Sequence, residues 1–255
     1  MHLQDLQLTL LFDNVECTAH LEHLWGFSCL IRLPGTCLLL DTGSNGRMLL
    51  RNMQRLGVSA RELDRLFITH GHWDHIGGLD SVLEENPALE LIVPRSLSKL
   101  MIGDLKKQCR AITVVDDAPR ALGNGLYSTG TLPGEMPEQA LVIATREGAV
   151  VITGCAHPGI AEIAALAAAQ TGLPIALLAG GFHLFQSGAE DIDQVIDRLQ
   201  ALGVRYVLPT HCTGGPAIAR LQERYGHGFI PGGAGQQLGF DASGQPVTGI
   251  HCLQS

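Results

Sequence analysis

The stretch Thr69-His70-Gly71-His72-Trp73-Asp74-His75-Ile76-Gly77-Gly78 places four possible metal ligands within the six residues His70 to His75. It follows the apolar, strand-like Arg65 to Thr69 and precedes a helix-like segment, Leu79 to Asn86. In extended chain, residues two apart project to the same side, so His70 and His72 point together. A turn straight after them brings Asp74 and His75 back to face that pair, and Gly77 and Gly78 relieve the backbone crowding of the turn. Imidazole nitrogen and carboxylate oxygen are donors that zinc, manganese, nickel and iron all accept. One histidine here would read as a group satisfying a strand end; this spacing reads as a ligand loop.

Three more apolar strands run into a histidine. Val150 to Thr153 leads to Gly154-Cys155-Ala156-His157, Leu177 to Ala179 leads to Gly180-Gly181-Phe182-His183, and Tyr206 to Thr210 leads to His211. In layered α/β folds the C-terminal ends of strands line the site, so histidines distant in sequence converge. Strands alternate with helices along the rest of the chain. Leu6 to Phe12, Phe27 to Leu33 and Cys37 to Leu40 read as strands, the last two joined at Pro34-Gly35. Ser44 or Asn45 caps a helix carrying Met48, Leu49, Met53 and Leu56, stopped by Gly57. Ser59 with Glu62, and Ser187 with Glu190, have capping-box spacing. Leu141 to Thr145 and Ala149 to Thr153 form a hairpin, and Ile160 to Gln170 and Pro216 to Tyr225 read as helices. Pro133 to Pro137 is a loop able to move over a site.

With 255 residues, 45% hydrophobic and 16% charged, the chain can bury a full core, which excludes disordered, collagenous and coiled-coil classes. One domain spanning 1–255 is expected. The net charge of −8, with Lys and Arg scattered, offers no positive groove and argues against nucleic acid as a partner. No apolar run approaches the roughly 20 residues of a spanning helix. Met1 to Asp13 lacks the pattern of a signal peptide, so a cytoplasmic protein without a membrane partner is expected. The seven cysteines, Cys252 included, have irregular spacing and no C-x-x-C pair, which fits reduced thiols used as small apolar fillers. His2, His20, His227 and His251 are assigned to surface or packing.

The His-x-His-x-Asp-His set at His70 to His75, with Asp41 after an early strand and glycines at Gly43, Gly77 and Gly78, resembles the signature of the metallo-β-lactamase-fold hydrolases. The resemblance covers nearly the whole chain and implies a four-layer αββα sandwich of the metallo-β-lactamase type, an α/β fold. Four later pieces look most like the dihydropterin ribofuranosylaminobenzene phosphate synthase-like, or dihydropteroate-synthase-related, subgroup. They are Gln139-Ala140-Leu141, Gly154-Cys155-Ala156-His157-Pro158-Gly159-Ile160, Gly180-Gly181-Phe182-His183-Leu184 and Pro209-Thr210-His211-Cys212-Thr213-Gly214. The chain also departs from the superfamily pattern. Thr129 to Gly134 occupies the stretch where its third histidine is expected, and Cys155 stands about where a bridging Asp is expected. His157 is therefore expected to supply a ligand instead.

The arrangement that follows is two divalent cations, zinc foremost with manganese, nickel or iron acceptable. His70, His72 and His157 would hold one, Asp74, His75 and His211 the other, with a shared water or hydroxide as nucleophile. Asp74 would bind metal and orient that water. His183 would donate to a leaving group or a phosphate. Gly181, Phe182 and Trp73 are expected to meet substrate, although Trp73 reads equally well as a core filler. Asp41 is expected to orient ligands, and Cys155 is a further possible donor. Asp13-Asn14 and Glu22-His23 resemble subgroup positions that could reach the pocket; an exposed helical start explains Glu22-His23 equally well.

The expected activity is hydrolysis of an ester-like bond, foremost a phosphoester or phosphodiester, in a small molecule. The alternatives are the pterin-pathway transfer that the subgroup's name implies, lactone or β-lactam hydrolysis, and a metal-binding sensor without turnover. Redox chemistry on two irons is disfavoured, because members of that kind carry Glu where this chain has His72. Oligomeric state is not legible.

Overall fold

A computed structural model of the chain describes residues 1–249, so His251 and Cys252 lie outside the described residues. In chain order the strands are β1 (Gln7–Phe12), β2 (Ser28–Leu33), β3 (Thr36–Leu40), β4 (Arg65–Phe67), β5 (Glu90–Pro94), β6 (Ala111–Val115), β7 (Arg120–Gly123), β8 (Leu126–Ser128), β9 (Leu141–Thr145), β10 (Gly148–Thr153), β11 (Ile175–Gly181), β12 (Tyr206–Thr210), β13 (Gln237–Phe240) and β14 (Pro246–Thr248). The α-helices are α1 (Gly46–Arg55), α2 (Trp73–Ile76), α3 (Leu79–Glu85), α4 (Lys99–Leu105), α5 (Ile160–Thr171), α6 (Ala189–Ala201) and α7 (Gly215–Tyr225). The expected α/β class is what forms: two mixed sheets, each with its own helices.

The chain divides into two compact units. The first contains His2–Val115 and the described residues from Gly233 on; the second contains Met1 and Asp116–Gly232. The first unit's sheet has the order β14-β13-β1-β2-β3-β4-β5-β6. It is antiparallel as far as β3 and parallel from β3 to β6. β3 is buried along its whole length, which explains the unbroken run Cys37 to Leu40 in place of a polar-apolar alternation. Leu49 and Met53 of α1, with Val82 and Leu83 of α3, pack with Leu39, Leu66 and Leu91 of the sheet. Each such side chain contributes about 1.5–3 kcal/mol by leaving water.

Helix α1 starts as expected: Asn45 Oδ1 accepts from the Met48 N–H at 3.1 Å, and Gly57 takes a φ of 68° past the end. The Ser59–Glu62 box also forms, with Ser59 N–H donating to Glu62 Oε1 at 2.6 Å, but it opens only a 3-10 turn, Ala60–Glu62. β4 stops at Phe67, two residues before the expected end at Thr69. The reason is local: the Thr69 N–H donates to the side chain of Asp41 at 2.8 Å rather than to a neighbouring strand.

The second unit's sheet has the order β12-β11-β10-β9-β8-β7, with β10, β11 and β12 parallel and the remainder antiparallel. Helix α5 is alanine-rich, so Ala161, Ala164 and Ala167 let it lie close to Val151 and Leu178. Ile192, Ile196 and Leu199 of α6 and Leu221 of α7 complete that core. The Ser187–Glu190 capping box does not form. Gly188 is the residue ahead of α6, it has no side chain to cap with, and the Ser187 N–H turns back to Leu184 O at 3.0 Å. The loop Pro133 to Pro137 is pinned at its base, where Leu132 and Glu138 exchange backbone hydrogen bonds of 2.8 and 3.1 Å. The six described cysteines are thiols, and among the described residues no helix is long and apolar enough to cross a membrane.

Candidate metal centre

In the first unit, β3 and β4 are parallel neighbours, and the ends of both carry the donors. Asp41, directly after β3, adopts a φ of 56° and is wholly buried. That left-handed backbone turns its carboxylate across the end of β4. Its Oδ1 accepts from Thr69 N–H at 2.8 Å, and its Oδ2 accepts from Thr69 Oγ1 and from His75 Nδ1, each at 2.7 Å.

These bonds settle two imidazole tautomers. A buried carboxylate accepts only, so His75 carries its proton on Nδ1 and its lone pair on Nε2. Thr69 Oγ1 spends its own proton on Asp41. It therefore accepts from His70 Nδ1, 2.9 Å away, which leaves the lone pair of His70 on Nε2. That nitrogen faces His72 Nδ1 at 3.2 Å. Two nitrogens each about 2.0–2.1 Å from one tetrahedral zinc stand at about this separation. Asp74 Oδ2 lies 3.6 Å from His75 Nε2, and the rings of His70 and His75 are 4.1 Å apart. The loop is tied down from behind. Phe27 N–H donates to Asp74 O at 3.1 Å, and the N–H and hydroxyl of Thr42 donate to His75 O at 2.7 and 2.9 Å. The donor set fits a divalent cation, and its orienting partners are the kind that imidazole ligands require.

In the second unit the ends of β10, β11 and β12 carry His157, His183 and His211. His157 is oriented by Glu138, a wholly buried carboxylate for which the sequence offered no signal. Glu138 Oε1 accepts from the N–H groups of Gly154, Cys155 and Ala156, all at 3.0 Å. Its Oε2 accepts from His157 N–H at 3.0 Å and His157 Nδ1 at 2.9 Å. The lone pair of His157 is therefore on Nε2 as well. Nothing in Pro137-Glu138-Gln139 announces this role; the one available hint is the small-residue run Gly154-Cys155-Ala156, whose N–H groups need an acceptor.

Non-glycine residues with positive φ gather at these strand ends: Ala156 at 63°, His183 at 53° and His211 at 51°, with Asp41 in the first unit. Such conformations persist only where the surroundings hold them. Cys212 is buried beneath His183. Burial alone would raise its pKa, but hydrogen bonds with Cys155 and His183 and the field of His211 hold the thiol well below its ordinary range. The Cys212 interaction in turn raises the pKa of His183 against the opposing effect of burial.

Of the residues expected to meet substrate, Trp73 is 61% exposed and so is no core filler. Phe182 is buried among Ile160, Leu178 and Leu221 in the second unit's core. Gly181 lies tight against Gly154 O, where an added Cβ would stand 2.5 Å away. Asp13 is wholly buried, and its carboxylate accepts from Val15 N–H at 2.8 Å. Glu22 begins no helix; it pairs with Arg51 at 2.6 Å and Arg55 at 3.3 Å.

The family profile described as the Metallo-beta-lactamase superfamily matches residues 26–211. The chain belongs to that superfamily. Among superfamily structures, that of Tm1679, a metal-dependent hydrolase of the beta-lactamase superfamily, superposes with a TM-score of 0.77 at 26% identity, covering 91% of this chain and 98% of the other. The metallo-beta-lactamase fold protein YhfI from Bacillus subtilis superposes with a TM-score of 0.64 at 15% identity, covering 96% and 99%. By sequence, the chain is 25% identical over 248 residues to a 7,8-dihydropterin-6-methyl-4-(beta-D-ribofuranosyl)-aminobenzene-5'-phosphate synthase of Methanocaldococcus jannaschii, covering 80% of this chain and 84% of the relative. Superfamily membership accounts for the ligand loop; Glu138 is read from this chain's own geometry.

Proposed function

We propose that this chain is a metal-dependent hydrolase of ester-like bonds in small molecules, foremost phosphoesters or phosphodiesters, acting in the cytoplasm. The single observation that carries the reading is the locking of His70, His75 and His157 by buried acceptors, so that each directs a lone pair from Nε2. The proposed ligands are His70, His72, Asp74 and His75 from the first unit with His157 and His211 from the second, holding two divalent cations, zinc foremost. Bound cations of this kind lower the pKa of a water and polarise the oxygen of the bond to be broken.

The chain's own residues do the remaining work. Asp41 and Glu138 keep the imidazoles in the tautomer that offers Nε2. Asp74 accepts a proton from the attacking water. His183 donates one to the departing oxygen, a role that suits an imidazole whose pKa is raised. Trp73, largely exposed, offers a face to the substrate's organic part.

The test is turnover of bis-p-nitrophenyl phosphate by protein loaded separately with zinc, manganese and nickel, alongside metal content. His72→Ala should abolish bound metal at the His70–His75 loop and with it turnover, while the chain stays folded. Full metal stoichiometry in that variant would refute the ligand assignment. A second reading, a pterin-pathway synthase, is favoured by the likeness to the M. jannaschii relative. Absence of turnover on phosphodiester, lactone and β-lactam reporters, together with tight pterin binding, would place that reading first.

A further inference from the structure

The chain has two tryptophans, and the fold buries neither: Trp25 is 39% exposed and Trp73 61%, with Leu24 beside Trp25 at 45%. Tryptophan is on average a highly buried side chain, so two indoles left in solvent on neighbouring loops mark a contact surface. Both belong to the first unit. Their backbones meet at Asp74 and Ser44. The Phe27 N–H donates to Asp74 O at 3.1 Å, and Ser44 Oγ donates to Trp25 O at 2.6 Å. Gly26 lies so close to Asp74 that an added Cβ would stand 2.6 Å from its carbonyl oxygen. A Cβ at Gly77 would meet Ser44 O at 2.5 Å and Trp73 O at 2.7 Å. Both tryptophans are therefore anchored to the edge of the ligand loop.

Surface loops ordinarily move. This one is strapped to α1. Asn52, wholly buried, donates from Nδ2 to Leu11 O at 2.9 Å and to Glu22 O at 2.8 Å, and its Oδ1 accepts from the Glu22 N–H at 3.0 Å. The Glu22 carboxylate accepts from Arg51 Nε and Nη2 at 2.7 and 2.6 Å, and the Leu24 N–H donates to Asp13 O at 3.1 Å. The loop is ordered before a ligand arrives, so little of an aromatic contact is spent on fixing it. We propose that Trp25 is a specificity-determining residue which, with Trp73, selects substrates whose ester carries a planar, uncharged ring over those with a small alkyl group. The proposal rests on the hydrolase reading, which puts the reacting ester beside Asp74. One ring-to-indole contact favours the aromatic substrate about 2- to 12-fold beyond the area it buries.

With both tryptophans at this edge, intrinsic fluorescence reports on it alone. The full chain, loaded with zinc, is titrated with phenylphosphonate and with methylphosphonate, stable anions that differ in the ring, and affinities are taken by calorimetry. Phenylphosphonate should bind at least about 2- to 12-fold more tightly and shift the tryptophan emission, which methylphosphonate should leave in place. Trp25→Phe should keep most of the preference. Trp25→Ala should reduce it by about 2- to 12-fold, with the zinc content and circular dichroism of the unaltered chain. Equal affinities for the two anions in the unaltered chain, or a preference that survives Trp25→Ala, overturns the proposal. So does an emission maximum that moves to the blue as the unliganded chain is concentrated, because a second copy would then cover the indoles. Preference for the ring without turnover of bis-p-nitrophenyl phosphate by any loaded form counts against the hydrolase reading alone; turnover without that preference counts against Trp25 alone.

Discussion

Replacing Glu138 with glutamine removes one charge and changes one atom, yet the geometry makes it severe. The carboxylate accepts five hydrogen bonds, three on Oε1 and two on Oε2. An amide has one acceptor oxygen. If that oxygen takes the Oε1 position, its NH2 group faces the His157 N–H and Nδ1, both of which are donors. The ring can restore one contact by moving its proton from Nδ1 to Nε2; the backbone N–H cannot follow. One bond to a charged acceptor is lost, at about 1.5–3 kcal/mol, and the three on the remaining oxygen weaken from charged to neutral. The expected cost is roughly 3–5 kcal/mol, a large share of the about 5–15 kcal/mol that holds a typical domain folded. At a urea dependence of about 3 kcal/mol per molar, the midpoint falls by about 1–2 M. The second consequence concerns ligation: with the proton on Nε2, His157 no longer offers its lone pair there. Urea denaturation of Glu138→Gln gives the first quantity, and nitrogen-15 NMR of the histidine rings gives the tautomer. A loss below about 1 kcal/mol, or a His157 ring still protonated on Nδ1, would falsify the account of Glu138 as the residue that sets this loop.

The other predictions address separate elements. Asp41→Asn keeps a residue that tolerates φ 56° but weakens the hold on Thr69 and His75, so metal affinity should fall about 10–100-fold in chelator competition; unchanged affinity would remove Asp41 from the ligand-orienting role. Gly181→Ala forces a Cβ to 2.5 Å from Gly154 O and should cost about 1–3 kcal/mol in thermal unfolding. Cys29 is fully buried and desolvation pushes its pKa up to about 12, so in mildly alkaline iodoacetamide it should stay unmodified in the native chain and react after unfolding. Asp193 bonds Arg220 at 2.7 Å, which lowers its pKa in the folded chain. Its contribution is thus present above the unfolded carboxylate pKa and lost as pH falls through the lowered folded value. Denaturation midpoints of the unaltered chain and Asp193→Asn should differ at neutral pH and converge in acid; a gap that survives full protonation would mean the side chain acts other than by charge.

Much of the first unit was legible because its signals are local. Asn45 ahead of Met48, Gly57 past Leu56 and the unbroken Cys37 to Leu40 each carry their own structural instruction. The donors were legible because imidazole is rarely placed four times at strand ends without purpose. What escaped reading is non-local. Glu138 acts on backbone groups of Gly154 to His157, and a backbone N–H leaves no mark on side-chain patterning. Ser187 and Glu190 had the spacing of a cap, but Gly188 took the boundary position and the hydrogen bond went to Leu184. The edge strands β7 and β14, and β13 beside β14, are short and partly exposed, so they lack the apolar runs that identify β3 or β10.

The pairing of β1 carries a consequence for how the chain is made. One side of β1 is closed early by β2, but the other side meets β13, with Leu8 opposite Leu238. During synthesis that side stays an open row of amide groups on an apolar strand until β13 has left the ribosome. Over that interval β1 is a template for another nascent chain. Yield in a host should therefore depend on chaperone supply and on temperature during translation, even where the finished protein withstands heat.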